Sequence, residues 1–220
     1  MRHLLLASAL LAALAACSNG EKTARFLIDP PETGTRLPNR LGTAELKDVS
    51  LPEYASAGEI SWQDAGGAVR SNTRQLWADE PQRAFTLTLA RAISDISGAT
   101  VIAEPWPLAE PPRRTLEVRV EKALAQANGT YRLTGRYFIA DSGAGGTNHA
   151  RSFDISVPMG AEGGKAGPAT IARAQSAAIA QLAQQIASLG GAGNALRTSS
   201  PAPTRMDDIF SQPLPPLDGS

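Results

Sequence analysis

Between residues 115 and 157 apolar and polar side chains alternate along three successive stretches, and no other pattern in the chain restricts its fold as tightly. Leu116, Val118, Val120 and Leu124 point one way, with Glu117, Arg119 and Glu121 opposite. Asn128-Gly129 supplies a tight turn, after which Tyr131, Leu133, Tyr137 and Ile139 resume the alternation on a return strand. Beyond a loop over 143–149, Phe153, Ile155 and Val157 mark a third strand. A period of two with one apolar face describes an antiparallel meander, and that face requires a covering layer.

Two amphipathic segments supply the cover. Asp79-Glu80-Pro81 reads as a helix start, acidic with an early proline. Phe85, Leu89, Ala92, Ile93 and Ile96 then recur at helical spacing until Gly98. A second helix begins at Pro168, carries Ile171, Ala178, Ile179, Leu182, Ile186 and Leu189 on one stripe, and stops at Gly190-Gly191. The expected fold class is α+β: two layers, a largely antiparallel sheet with two helices packed on one face.

Shorter signals fill in the rest. Phe26-Leu27-Ile28 reads as a strand or extended segment, and 33–40 as a loop. Over 41–51, Ala44, Leu46, Val49 and Leu51 suggest a strand whose alternation slips by one residue, as at a bulge. Runs at 59–62 and 68–71 around Asp64-Ala65-Gly66-Gly67 describe a β-hairpin. Residues 100–103 form a short strand before the breaker-rich Glu104-Pro105-Trp106-Pro107. Residues 190–220, mostly Gly, Ala, Ser and Pro, are expected to be disordered.

The N-terminus addresses location rather than fold. Arg2 and His3 precede an apolar run over 4–16, shorter than the ~20 residues of a spanning helix. Basic start, short apolar stretch and small residues describe a secretory signal peptide. Leu14-Ala15-Ala16-Cys17 resembles the bacterial lipobox, and Cys17 is the only cysteine in 220 residues. The expected organisation is a signal peptide over 1–16 cut between Ala16 and Cys17, a lipidated tether over 17–25, a folded domain over 26–189 and the tail. The lipobox resemblance implies a triacylated Cys17, and several acyl chains hold firmly where one holds marginally. Ser18, where an aspartate would retain the protein in the inner membrane, resembles the outer-membrane class.

Composition closes off other classes. One cysteine excludes an intrachain disulfide, and cleavage leaves His149 as the sole histidine, too few ligands for structural zinc. Loss of Arg2 takes the 21 basic residues to 20 against 21 acidic, a formal charge of −1. That balance builds no field for nucleic acid. His149 is the only candidate base and no Gly-x-Ser-x-Gly elbow accompanies it. The run 160–166 has three residues where a phosphate loop has four, and alanine where the motif needs a hydroxyl. No catalytic residue, metal or cofactor is expected, which favours a binding or assembly role.

A series of short phrases then points to one family. They are Arg25-Phe26-Leu27-Ile28, Asp48-Val49-Ser50-Leu51-Pro52-Glu53-Tyr54, Ile60-Ser61-Trp62, Leu76-Trp77-Ala78-Asp79-Glu80-Pro81, Glu104-Pro105-Trp106-Pro107 and Leu116-Glu117-Val118-Arg119-Val120. Over roughly 26–157 the chain resembles the ABC-type transport auxiliary lipoprotein family, the PqiC/YmbA group. The resemblance implies a periplasm-facing outer-membrane lipoprotein that accompanies mammalian-cell-entry (MCE) proteins in lipid transport between the two membranes. A ring of identical copies is among the arrangements open to it. Two other readings stand beside this one: a lipid-binding carrier holding an acyl chain between sheet and helices, and an envelope enzyme using His149. Aromatic and arginine side chains anchor interfaces, so Tyr54, Trp62, Arg70 and Arg74 are the candidate partner contacts. Trp77 is assigned to the core beneath its helix. In the tail, Met206-Asp207-Asp208-Ile209-Phe210 is a candidate short docking motif.

Overall fold

The computed structural model describes residues 23–31, 34, 36–143, 145–160 and 167–197. Ala16, Cys17 and the 206–210 phrase lie outside the described residues.

The meander is the centre of the molecule. Three strands of twelve residues each, β7 (Arg114–Ala125), β8 (Thr130–Asp141) and β9 (Thr147–Pro158), pair antiparallel. Leu116, Val118, Leu133, Tyr137, Ile139, Phe153 and Ile155 fill the inner face. The alternation in β7 is broken at one point: Val120 faces Gly135 but Lys122 faces Thr134, so Glu121 is an extra residue. This bulge reverses the parity beyond it. Ala123 and Ala125 turn inward opposite Leu133 and Tyr131, while Leu124 faces Arg132 on the other side. The assignment of Leu124 to the face of Leu116 is therefore corrected. β9 also starts earlier than its side chains suggest, which places His149 on a strand opposite Ile139 and not in a loop. Backbone pairing with β8 extends the ladder through residues that carry no apolar signal.

Two long helices cover the inner face. α2 (Pro81–Ser97) opens with Glu80, whose carboxylate accepts from the amides of Gln82 (3.0 Å) and Arg83 (2.6 Å), and closes on Gly98 at φ +66°. α3 (Pro168–Ser188) begins after Gly167 and ends on Leu189, a non-glycine residue at φ +58°. Burial of Phe85, Leu89, Ile93, Ile179, Leu182 and Ile186 against the sheet welds the layers into one core. A third, short helix, α1 (Glu53–Ser56), lies in the Leu-Pro-Glu-Tyr phrase, directly after the stretch read as a strand over 41–51.

Around this core the sheet is extended on both sides, in the order β10-β9-β8-β7-β2-β6. β2 (Thr43–Leu46) runs parallel to β7 and to β6 (Thr100–Ala103), so antiparallel pairing dominates but does not cover the whole sheet. The expected slip is present after β2. The amide of Lys47 donates to Leu116 and that of Ser50 to Val118, three residues against two. β3 (Trp62–Gln63) and β4 (Val69–Arg70) form the hairpin, joined to β7 where Trp62 meets Ala125. The first segment pairs over β1 (Ala24–Phe26), not 26–28, in a separate parallel pair with β5 (Gln75–Trp77). The disorder expected directly after Leu189 is corrected too: β10 (Ala192–Arg197) adds to the open edge of β9. Its glycines permit that approach, since a Cβ at Gly193 would sit 2.0 Å from the carbonyl oxygen of Ala150.

Candidate interaction surface

The hairpin is a short arm whose turn is organised by one side chain. Asp64 accepts from the amides of Gly66 (3.0 Å) and Ala68 (2.9 Å) and from Arg70 Nε (2.9 Å). The Arg70 guanidinium, then the Ala68 amide, hold its carboxyl below the usual carboxylate range. Residues 65–74 are all exposed. Trp62 roots the arm, half-buried against the core and opposite Arg70 in register. Arg74 follows at the turn into β5, its carbonyl accepting from Ala24 and its side chain exposed.

The structure thus places Trp62 opposite Arg70, with Arg74 four residues beyond the arm, and it gives Tyr54 another task. The Tyr54 hydroxyl accepts from the amide of Ala123 (3.3 Å), just past the β7 bulge, and its carbonyl accepts from Ser61 Oγ (3.0 Å). Tyr54 therefore braces the base of the arm against the sheet. The missed member is Val69, 46% exposed near the tip. The hairpin signal located it, but alternation alone does not tell a buried valine from a displayed one.

The second tryptophan loop is pinned by charge. Lys47 lies between Glu45 (2.8 Å) and Glu104 (2.9 Å), and Glu104 also accepts from the amide of Asp48 (2.7 Å). Hydrogen bonds to Glu45 and Glu104 drive the Lys47 ammonium above its ordinary range. The Asp48 amide, then Lys47, lower Glu104. Glu45 accepts in turn from the Trp106 amide (3.0 Å), and the indole N–H donates to the carbonyl of Glu110 (2.7 Å). Both polar ends of this loop are satisfied by structure. Trp77 is buried in the core beneath α2, as assigned.

His149 has no partner that would make it a base in a relay. Its Nδ1 is buried without a hydrogen bond among the described residues. Burial first, then Arg151 and Arg114, push its pKa down, so the ring is neutral at pH 7. The nearby Asp141, with a side chain only 2% exposed, is committed to Arg114 (3.0 Å), Arg113 (3.7 Å) and the Gly143 amide (3.0 Å). Among the described residues no three His, Cys, Asp or Glu side chains converge as metal ligands. A largely apolar depression of about 530 Å³ lies outside the layers, between the segment that follows β1 and the first half of α3, lined by Phe26, Leu27, Ala172 and Ala177 with Asp29 and Arg173 at its margin. The interlayer itself is occupied by the core.

The model of one family, described as ABC-type transport auxiliary lipoprotein component, matches residues 26–187. The chain belongs to this family. No curated protein matches it. Among solved structures, a crystal structure described only as an uncharacterized protein superposes with a TM-score of 0.57 at 18% identity, covering 72% of this chain and 99% of that one. Protein XCC0632 from Xanthomonas campestris, of family DUF330, gives 0.54 at 15% identity, covering 72% and 90%. At such identities the likeness is one of fold. As a transport auxiliary lipoprotein component the chain holds Tyr54, Trp62, Arg70 and Arg74 inside the matched span, with Cys17 before it and β10 after it.

Proposed function

We propose that this transport auxiliary lipoprotein is anchored to the outer membrane through acylated Cys17 and docks the periplasmic end of an MCE lipid-transport assembly as a non-catalytic subunit. The observation that carries the reading is the projecting arm. Trp62 fixes it to the sheet, while Arg70 and Arg74 stand in solvent, arginine being a residue type enriched at interface hot spots, and Val69 adds exposed apolar surface beside them.

Co-purification from detergent extracts tests it. Tagged wild-type protein is expected to recover an MCE protein, and Val69→Asp/Arg70→Glu to recover at least tenfold less at an unchanged melting temperature. Recovery of no MCE protein with the lipidated wild type would overturn the reading. Labelled palmitate is expected to mark the wild type and not Cys17→Ser.

A further inference from the structure

The outer face of the sheet carries a feature that the hairpin does not use. Arg119 and Arg136 stand directly opposite one another on β7 and β8, a like-charge pairing that is unfavourable unless compensated. Both guanidinium groups lie over the ring of Phe138, 5.1 and 5.5 Å from its centroid. Glu117 accepts from Arg119 Nε at 2.6 Å. Arg136 is exposed and pairs with no carboxylate among the described residues. Phe138 is half-buried, with Ala150 opposite it and the exposed Ala140 two residues along the same face. Two cations, one anion and an aromatic ring among alanines make a surface for a segment that is acidic and apolar at once.

The chain contains such a segment. Met206-Asp207-Asp208-Ile209-Phe210 places two carboxylates directly before two large apolar side chains, eight residues beyond the end of β10. Arg197 is in register with Thr147, and Phe138 with Ala150. The ring is therefore three residues along and two strands across from where β10 ends. With strands ~4.8 Å apart and a rise of ~3.4 Å per residue, that separation is about 14 Å. The eight residues 198–205 are long enough to reach that far, since a chain of eight spans up to roughly 25 Å.

We propose that the 206–210 segment docks on the outer face of its own sheet, Asp207 and Asp208 against Arg136 and Arg119, and Ile209 and Phe210 against Phe138. A short tether holds the segment at an effective concentration of order mM, so weak intrinsic affinity is sufficient.

Photo-crosslinking in the full detergent-solubilised chain tests this, with Phe210→benzoylphenylalanine and mapping by mass spectrometry. Crosslinks within one chain onto 135–140 or 150–152 are expected. Yield should fall at least fivefold in Arg119→Glu/Arg136→Glu and return when Asp207→Arg/Asp208→Arg is added. Because Asp207→Arg/Asp208→Arg alone lies outside the sheet, it keeps the test valid even if the arginine variant misfolds, and it should lower the yield equally. Crosslinks to the helices, to a second copy or to another protein overturn the proposal, as does no crosslink or a yield indifferent to charge reversal.

Discussion

Gly135 shows how much of this fold depends on a single missing methyl group. A Cβ there would lie 2.2 Å from the carbonyl oxygen of Arg119 and 2.7 Å from the Phe153 ring. β7 bulges directly opposite, and Phe153 packs down into the space left. Gly135→Ala should destabilise by about 2–3 kcal/mol through overpacking. Gly58→Ala, where nothing lies within 4 Å, should be near neutral. Urea denaturation checks both, with the slope unchanged. The bulge itself was not legible, because a pattern counted in twos has no means of registering an inserted Glu121. Asp141 makes a second prediction. The Gly143 amide, then Arg114 and Arg113, hold its carboxyl below the ordinary range against the opposing effect of burial. A depressed carboxylate stabilises the fold above its unfolded pKa of ~3.9 and loses that contribution as pH falls through the folded value. Asp141→Asn should therefore cost about 2 kcal/mol near pH 7, and the gap to wild type should close below about pH 4. Denaturant midpoints across pH measure it.

Among the elements, legibility followed how each is stabilised. α2 and α3 were readable because each is held by its own apolar stripe and marked ends. Glu80 is such a mark, and Glu80→Ala should lower stability by about 1 kcal/mol, with Glu80→Asp retaining most of it by thermal melting. The hairpin was readable from its turn residues. β10 was not. Its glycines and small side chains suggest a chain without a core, yet the close approach to β9 requires them: a Cβ at Gly191 would meet the Ser152 carbonyl at 2.5 Å. Gly193→Val should detach β10 and leave α3 intact, read as faster amide exchange on β9 and β10 alone. Thr147 to His149 were misread as loop for a related reason, since polar residues on a strand are placed by their neighbour's backbone and leave no pattern of their own.

At the scale of the whole molecule, the two-layer α+β architecture was legible from the meander and the two amphipathic helices, because three one-faced strands and two one-striped helices have few ways to satisfy one another. The candidate surface was legible in part. Trp62 and Arg70 pair on the arm and Arg74 lies four residues beyond it, whereas the Tyr54 hydroxyl meets the amide of Ala123 at the bulge, 69 positions away. β2 and β6 were legible as short strands, but their parallel pairing, with β2 between β6 and β7, was not, because strands of four residues carry no mark of which neighbour they join.

The pairing of β1 with β5 has a mechanical consequence. In a chain tethered by Cys17, any pull from the membrane enters the fold through Ala24–Phe26, which is zipped side by side to Gln75–Trp77, only five residues after the hairpin strand β4 ends at Arg70. Under the anchoring proposed above, load from a bilayer would first meet these three paired residues, with Phe26 packed against the core and its partner Trp77 inside it. Shearing that zipper would lengthen the leash by roughly 10 Å, and because its last rung joins Phe26 to the buried Trp77, the slack would be released only against the resistance of the core's edge.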